Sequence, residues 1–196
     1  MSEATILDPV GTARPHAPEK LVIAAIVSDP ELLGPVRSAV ESELGELDWA
    51  SDPLRFDYTR YYEAEMGPVL TRFFMTLKAL ADPADLARIK LVTNGLEARL
   101  AVEGHRRVNL DPGLLSLSRF VLASTKDSSH RVPLGHGIYA EITLVFERGE
   151  WRPVEWTYPD YASAVYRAIL KLVRSSYAAE IRARAQSGKR HDEGDV

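Results

Sequence analysis

The chain has 196 residues, 45% of them hydrophobic, which suffices for one sizeable core and falls within the ordinary range of a single domain. Its formal net charge of −4 offers no global attraction for nucleic acid or an anionic membrane, so any anion site must be local. The absence of cysteine excludes disulfides, thiolate nucleophiles, iron–sulfur clusters and cysteine-ligated zinc.

Residues 1–18 read as a disordered polar leader without the basic and apolar regions of a signal peptide. The longest apolar run, Leu21 to Val27, is far shorter than the roughly 20 residues a membrane span takes, so a cytoplasmic protein is expected. That same run is rich in β-branched residues and suits a strand covered on both faces. Asp29-Pro30 offers an N-cap and first helical residue, and Gly45 a stop, for a helix over 30–44. Leu54 to Tyr58 and Leu70 to Leu77 read as strands. Asp82-Pro83 repeats the start signal for a second helix carrying Leu86, Ile89, Leu91, Leu96 and Leu100, interrupted by Asn94-Gly95. The segment Leu114 to Ala123 reads as a helix, given the Asp111-Pro112 cap signal, or as a strand, since its periodicity does not decide.

From Ile138 to Phe146 the even positions are all apolar, which predicts a period-two strand with Ile138, Ala140, Ile142, Leu144 and Phe146 on the core face and Glu141 on the other. Arg148-Gly149 turns it into a hairpin running from Trp151 to Trp156. Asp160 is placed to cap a final helix with Val165, Ile169, Leu172 and Val173 along one side. The expected architecture is one α+β domain over 19–180, a mixed or mostly antiparallel sheet with three to four packing helices, followed by a polar tail over 181–196.

The densest polar sequence brackets an apolar segment, with Asn109 and Asp111 before it and Thr125, Lys126, Asp127, His130 and Arg131 after it. Two permanent cations and an imidazole so close together suit a phosphate or carboxylate. His130 is the acid/base candidate, with Asp127 or Glu141 to orient it. Asp57, Tyr139, Tyr158 and Asp160 are further candidate ligand contacts. Asp57, Asp111, Asp127, Glu141 and His130 also supply the residue types of a metal-dependent hydrolase, but no ligand spacing marks such a site. No phosphate-binding glycine loop and no nucleophile elbow occur.

Phe56-Asp-Tyr-Thr-Arg-Tyr-Tyr62 with Glu65-Met-Gly67, Arg107-Val-Asn-Leu-Asp-Pro-Gly113, Thr125-Lys-Asp-Ser-Ser-His-Arg131, Gly137-Ile-Tyr-Ala-Glu141 and Trp156-Thr-Tyr-Pro-Asp-Tyr161 occur in that order. Together they resemble the bacterial family called domain of unknown function 4416, over about Lys20 to Tyr177. The resemblance implies a domain boundary, and some members have carried a loose GTP-binding label, which the missing phosphate loop does not support here.

The expected function is binding of an anionic, phosphorylated or nucleotide-like small molecule in a polar pocket, with catalysis open and the cofactor unknown. The rival is a protein-interaction domain presenting Tyr58, Tyr61, Tyr62, Trp151 and Trp156 as an aromatic surface. Nucleic acid and membrane are not expected partners.

Overall fold

A computed structural model describes the backbone of residues 11–192 and the side chains of residues 11–186. Most of the expected leader, residues 1–10, and the end of the expected tail, residues 193–196, lie outside the described residues.

A single open antiparallel sheet of nine strands organises the chain. The strands are β1 (Glu19–Val27), β2 (Leu47–Ala50), β3 (Leu54–Phe56), β4 (Leu70–Ala81), β5 (Val108–Leu115), β6 (Arg119–Ser124), β7 (Val132–Gly135), β8 (Ile138–Glu147) and β9 (Glu150–Pro153). Their order is β2-β4-β1-β5-β6-β8-β7, with β3 also on β4 and β9 also on β8. The helices are α1 (Leu33–Leu44), α2 (Glu63–Met66), α3 (Leu86–Arg99), α4 (Pro159–Ala162) and α5 (Ala164–Asp192). The architecture is therefore α+β.

β1 is buried along its whole length, because both of its faces are covered. Leu21, Ile23, Ala25 and Val27 pack with Val36 and Val40 of α1 and Leu86, Ile89 and Leu96 of α3. Val22 and Ala24 pack on the opposite face with Phe74, Trp151 and the α5 residues Tyr166, Leu170 and Val173. Alternation along one strand thus serves two cores.

The first helix begins as a 3-10 turn at Pro30–Leu32, with the Asp29 carboxylate accepting from Glu31 N–H at 2.9 Å, and ends at Gly45, whose φ of 106° favours glycine. Asn94-Gly95 does not break α3, which packs Thr93 and Leu96 inward on either side of it. The segment 114–123 is no helix: it forms the β5–β6 hairpin, with Leu114 opposite Val121. Tertiary pairing overrides the cap signal at Asp111-Pro112, which falls inside β5.

In β8 the predicted alternation changes phase. Phe120 pairs with Leu144 but Val121 pairs with Ile142, so Thr143 is a bulged extra residue. Ile138 and Ala140 join the α1–α3 core, whereas Leu144 and Phe146 join the α5 core. Ile142 is exposed. The final helix keeps Ile169 and Val173 in the core as expected, but the rest of its buried face is turned from the one expected. Tyr166, Leu170, Val173 and Tyr177 point inward at helical spacing, while Val165 and Leu172 are exposed. The helix continues past residue 180 to Asp192. Asp160 does not cap it but lies within α4, where it is buried.

Candidate functional site

The sheet splays between β5 and β6. Their pairing covers only Gly113–Leu115 against Phe120–Leu122, although β5 starts at Val108 and β6 runs on to Ser124. Pro112 supplies the cause. Leu110 and Pro112 share a phase along β5, and Leu110 N–H points away from β1 to a side chain; at Pro112 the corresponding N–H toward β6 does not exist. Gly113 permits the close approach just before the split, since a Cβ there would lie 2.6 Å from the Phe120 ring.

The exposed edge of β5 is sealed by α3. Leu110 N–H donates to Glu97 Oε1 at 2.7 Å, and Lys90 Nζ donates to Leu110 O at 2.7 Å. Lys90, Asn94 and Glu97 recur at i, i+4 and i+7 and form one polar stripe of the helix. That stripe, β5, the end of β6 and the segment Phe56–Tyr62 enclose a cavity of about 610 Å³.

A chain of charged groups lines its floor. Arg72, with a side chain 2% exposed, donates through Nη1 to Asp111 at 3.3 Å and through Nη2 to Asp160 at 3.0 Å. Asn109 Nδ2 donates to Asp111 at 2.9 Å, and Arg106 donates to Asn109 Oδ1 at 3.0 Å and to Glu65 at 2.8 Å. Burial pushes the Asp160 carboxyl above its usual value, with Arg72 pulling the other way, and burial likewise raises Glu97 against Lys90. Burial disfavours the Arg72 charge, but the Asp111 and Asp160 carboxylates beside it work against burial and keep the guanidinium charged.

At the mouth, the loop after β6 carries Lys126 and Arg131. Lys126 Nζ donates to the Tyr61 hydroxyl at 3.0 Å and sits 4.1 Å from the ring centroid. That hydrogen bond draws the Tyr61 phenol below its usual value. Arg131 donates to Glu141 at 2.7 Å, to Lys126 O at 2.7 Å and to the Tyr158 hydroxyl at 2.8 Å. Arg72, Lys90, Arg106 and Arg131 each have a carboxylate within ion-pair distance. Among the described residues, Lys126 has none.

Asn109, Asp111, Thr125, Lys126, Arg131, Glu141, Tyr158 and Asp160 therefore line one cavity. Asp57 does not: it is exposed and pairs with Arg55 at 3.2 Å. Asp127 is exposed and Tyr139 half-buried, both outside the lining. His130 faces a second, smaller cavity and stacks on Trp156 at 5.0 Å, yet its Nε2 lies 3.3 Å from Glu141. Its position is that of a brace on the loop, outside the main cavity.

The aromatic residues expected to form a partner surface are dispersed. Trp151 is fully buried, Tyr58, Tyr61 and Tyr62 line the cavity, and Trp156 lies at the other one. Among the described residues no three His, Asp or Glu side chains gather as metal ligands.

Arg72, Lys90, Asn94, Glu97 and Arg106 were not among the candidates. For three of them a signal existed in the Lys90-Asn94-Glu97 spacing on an otherwise apolar helix face. Arg72 carried none, because a lone arginine in an apolar strand does not declare its partners.

Residues 17–177 match the family described as Domain of unknown function (DUF4416). The chain belongs to that family. The DUF4416 match ends at Tyr177, the last residue of α5 that is buried among the described residues, so it takes in the whole sheet and every residue that lines the cavity. No curated protein and no solved structure matches the chain. Among the described residues no helix is long and apolar enough to cross a membrane.

Proposed function

We propose that this DUF4416 domain binds a small anionic molecule, phosphorylated or nucleotide-like, in the cavity between β5, β6 and α3, with Lys126 taking the anionic group. The observation that carries this is the charge state of the mouth. Lys126 is exposed there, held over Tyr61, with no carboxylate to neutralise it among the described residues. Arg131 is tied to Glu141 and Arg106 to Glu65, so their charges are already matched and they hold the loop and floor in shape. A volume of about 610 Å³ suits a metabolite-sized ligand.

His130 acts through Glu141 as a positioning residue in this reading: it buttresses the carboxylate that orients Arg131, and the Arg131 guanidinium in turn holds the Lys126 backbone. We place the activity in the cytoplasm, in keeping with a cysteine-free sequence.

A thermal-shift screen of phosphorylated metabolites, nucleotides and dicarboxylates tests the reading, because a ligand that binds only the native state raises its stability. The expected result is a concentration-dependent rise with at least one of these anions. No rise with any of them at millimolar concentration contradicts it.

A further inference from the structure

The second cavity, of about 300 Å³, is apolar where the first is polar. Its walls include Leu86 of α3, Val121 of β6, Val132 and Leu134 of β7, Ile142 of β8 and Trp156. Of these, Val132, Leu134, Ile142 and Trp156 are exposed. Val121 pairs with Leu114, a member of the α1–α3 core, and on its other side with Ile142, so the groove lies on the α1–α3 face of the sheet, beside the first turn of α3. Exposed apolar side chains grouped in this way mark an interaction surface.

The N-terminal chain arrives at the rim of this groove. Glu19, which opens β1, and Pro83, which opens the turn before α3, both line it. His16 Nδ1 lies 3.5 Å from the carboxylate of Asp82, the neighbour of Pro83. Further back the chain turns at Gly11, whose φ is 90°. Gly11 stands at most about 18 Å from His16, five residues at full extension, whereas the ten residues before it can span about 33–36 Å. That length reaches the groove from wherever Gly11 stands.

Those ten residues lie outside the described ones, but their sequence suits the surface. The leader is polar as a whole, yet Ile6, Leu7 and Val10 bring three apolar side chains within five positions. A tethered segment is also favoured over a separate partner, because a short linker gives it an effective concentration on the order of millimolar. Addition of a second copy as a further strand on β7 is disfavoured. Ser116 N–H donates to Arg119 O, and alternation along β6 and β8 then turns the backbone groups of Ala140 toward β7. Its partner Val132 faces β8, so Pro133 stands at the free edge, where it supplies no N–H.

We infer that residues 5–10 fold back over this groove as a strap, with Ile6 and Leu7 seated among Leu86, Val132, Ile142 and Trp156. The strap rests on the loop that carries Lys126 and Arg131, since His130 lines the groove and Val132 follows Arg131 directly. It braces that loop from outside the main cavity, whatever the main cavity binds.

The absence of cysteine gives the test its readout. Two double variants of the full chain, Leu7→Cys with Val132→Cys and Leu7→Cys with Leu172→Cys, are equilibrated at micromolar concentration in a glutathione redox buffer. Disulfides are read by mass and by non-reducing electrophoresis. Leu172 is exposed on α5, across the sheet from the groove, and serves as the control. The expected result is an intramolecular disulfide at least tenfold more favoured in the first variant than in the second. Equal yields in the two variants overturn the inference. Disulfides that join two chains in the first variant overturn it in favour of a second copy as the occupant. A second measurement needs no cysteine: hydrogen exchange of residues 132–142 in the parent and in the full chain carrying Ile6→Ser with Leu7→Ser. Exchange there should be tenfold or more faster in the variant. Unchanged exchange overturns the inference even where a cysteine variant fails to fold.

Discussion

Arg131 and Glu141 form the ion pair that anchors the cavity mouth: Nε donates to a carboxylate oxygen at 2.7 Å, and the two side chains are 5% and 1% exposed. The same carboxylate oxygen is 3.3 Å from His130 Nε2. Breaking a buried pair by neutralising one partner leaves the other charge uncompensated. Glu141→Gln is therefore expected to cost about 1–3 kcal/mol in the absence of ligand. Urea melts of variant and parent measure this, and an unchanged midpoint would make Glu141 an ordinary strand residue with no part in holding the loop.

Gly113 sits where β5 and β6 are about to separate. A methyl group there meets the Phe120 ring at 2.6 Å and Leu122 Cδ2 at 2.9 Å, and Phe120 is itself fully buried. Overpacking of this kind costs about 1–3 kcal/mol. Gly113→Ala should accordingly lower the melting temperature. If it does not, the hairpin can relax away from the core, and the splay is softer than its packing suggests.

Asp160 links stability to pH. Its carboxyl is held above the usual aspartate value of 3.8, chiefly by burial, so the folded protein keeps that proton to a higher pH than the unfolded chain does. The folded state then binds more protons in the window above 3.8, and the contribution of this group to stability falls as pH rises through it. Glu97, raised from 4.5 mainly by burial, adds in the same direction. In Asp160→Asn the titration is gone, so the penalty of the substitution should shrink between pH 4 and pH 7. Chemical melts across that range decide the sign; a penalty that grows with pH would mean that Arg72 outweighs burial.

The strands and helix ends that rest on local chemistry were legible in the sequence. β1 reads from its β-branched run, the first helix from Asp29-Pro30 and Gly45, and the β8–β9 hairpin from Arg148-Gly149. What failed to read was decided by partners far along the chain. Period two in β8 was real, but one bulged residue, Thr143, moved its second half to the other core. Asp160 carried a cap signal and instead serves Arg72, 88 positions away. The candidate cluster from Asn109 to Glu141 was visible as polar sequence around an apolar segment. Its floor was not read: Lys90 and Glu97 were marked only by their helical spacing, and Arg72 acquires meaning only once β5 and β6 part and α3 closes the gap.

Lys126 bears the central claim, and it can be tested without disturbing the fold because the residue is exposed and, among the described residues, its side chain bonds only to Tyr61. Lys126→Gln should change unliganded stability by no more than about 0.5 kcal/mol, as surface substitutions generally do. The decisive measurement is the calorimetric affinity of parent and Lys126→Gln for the anion that stabilises the parent most, at two salt concentrations. The expected result is at least tenfold weaker binding by the variant, with a shallower salt dependence, since one cation fewer meets the anion. Equal affinity and an equal salt response in the two proteins would contradict an anion site at Lys126.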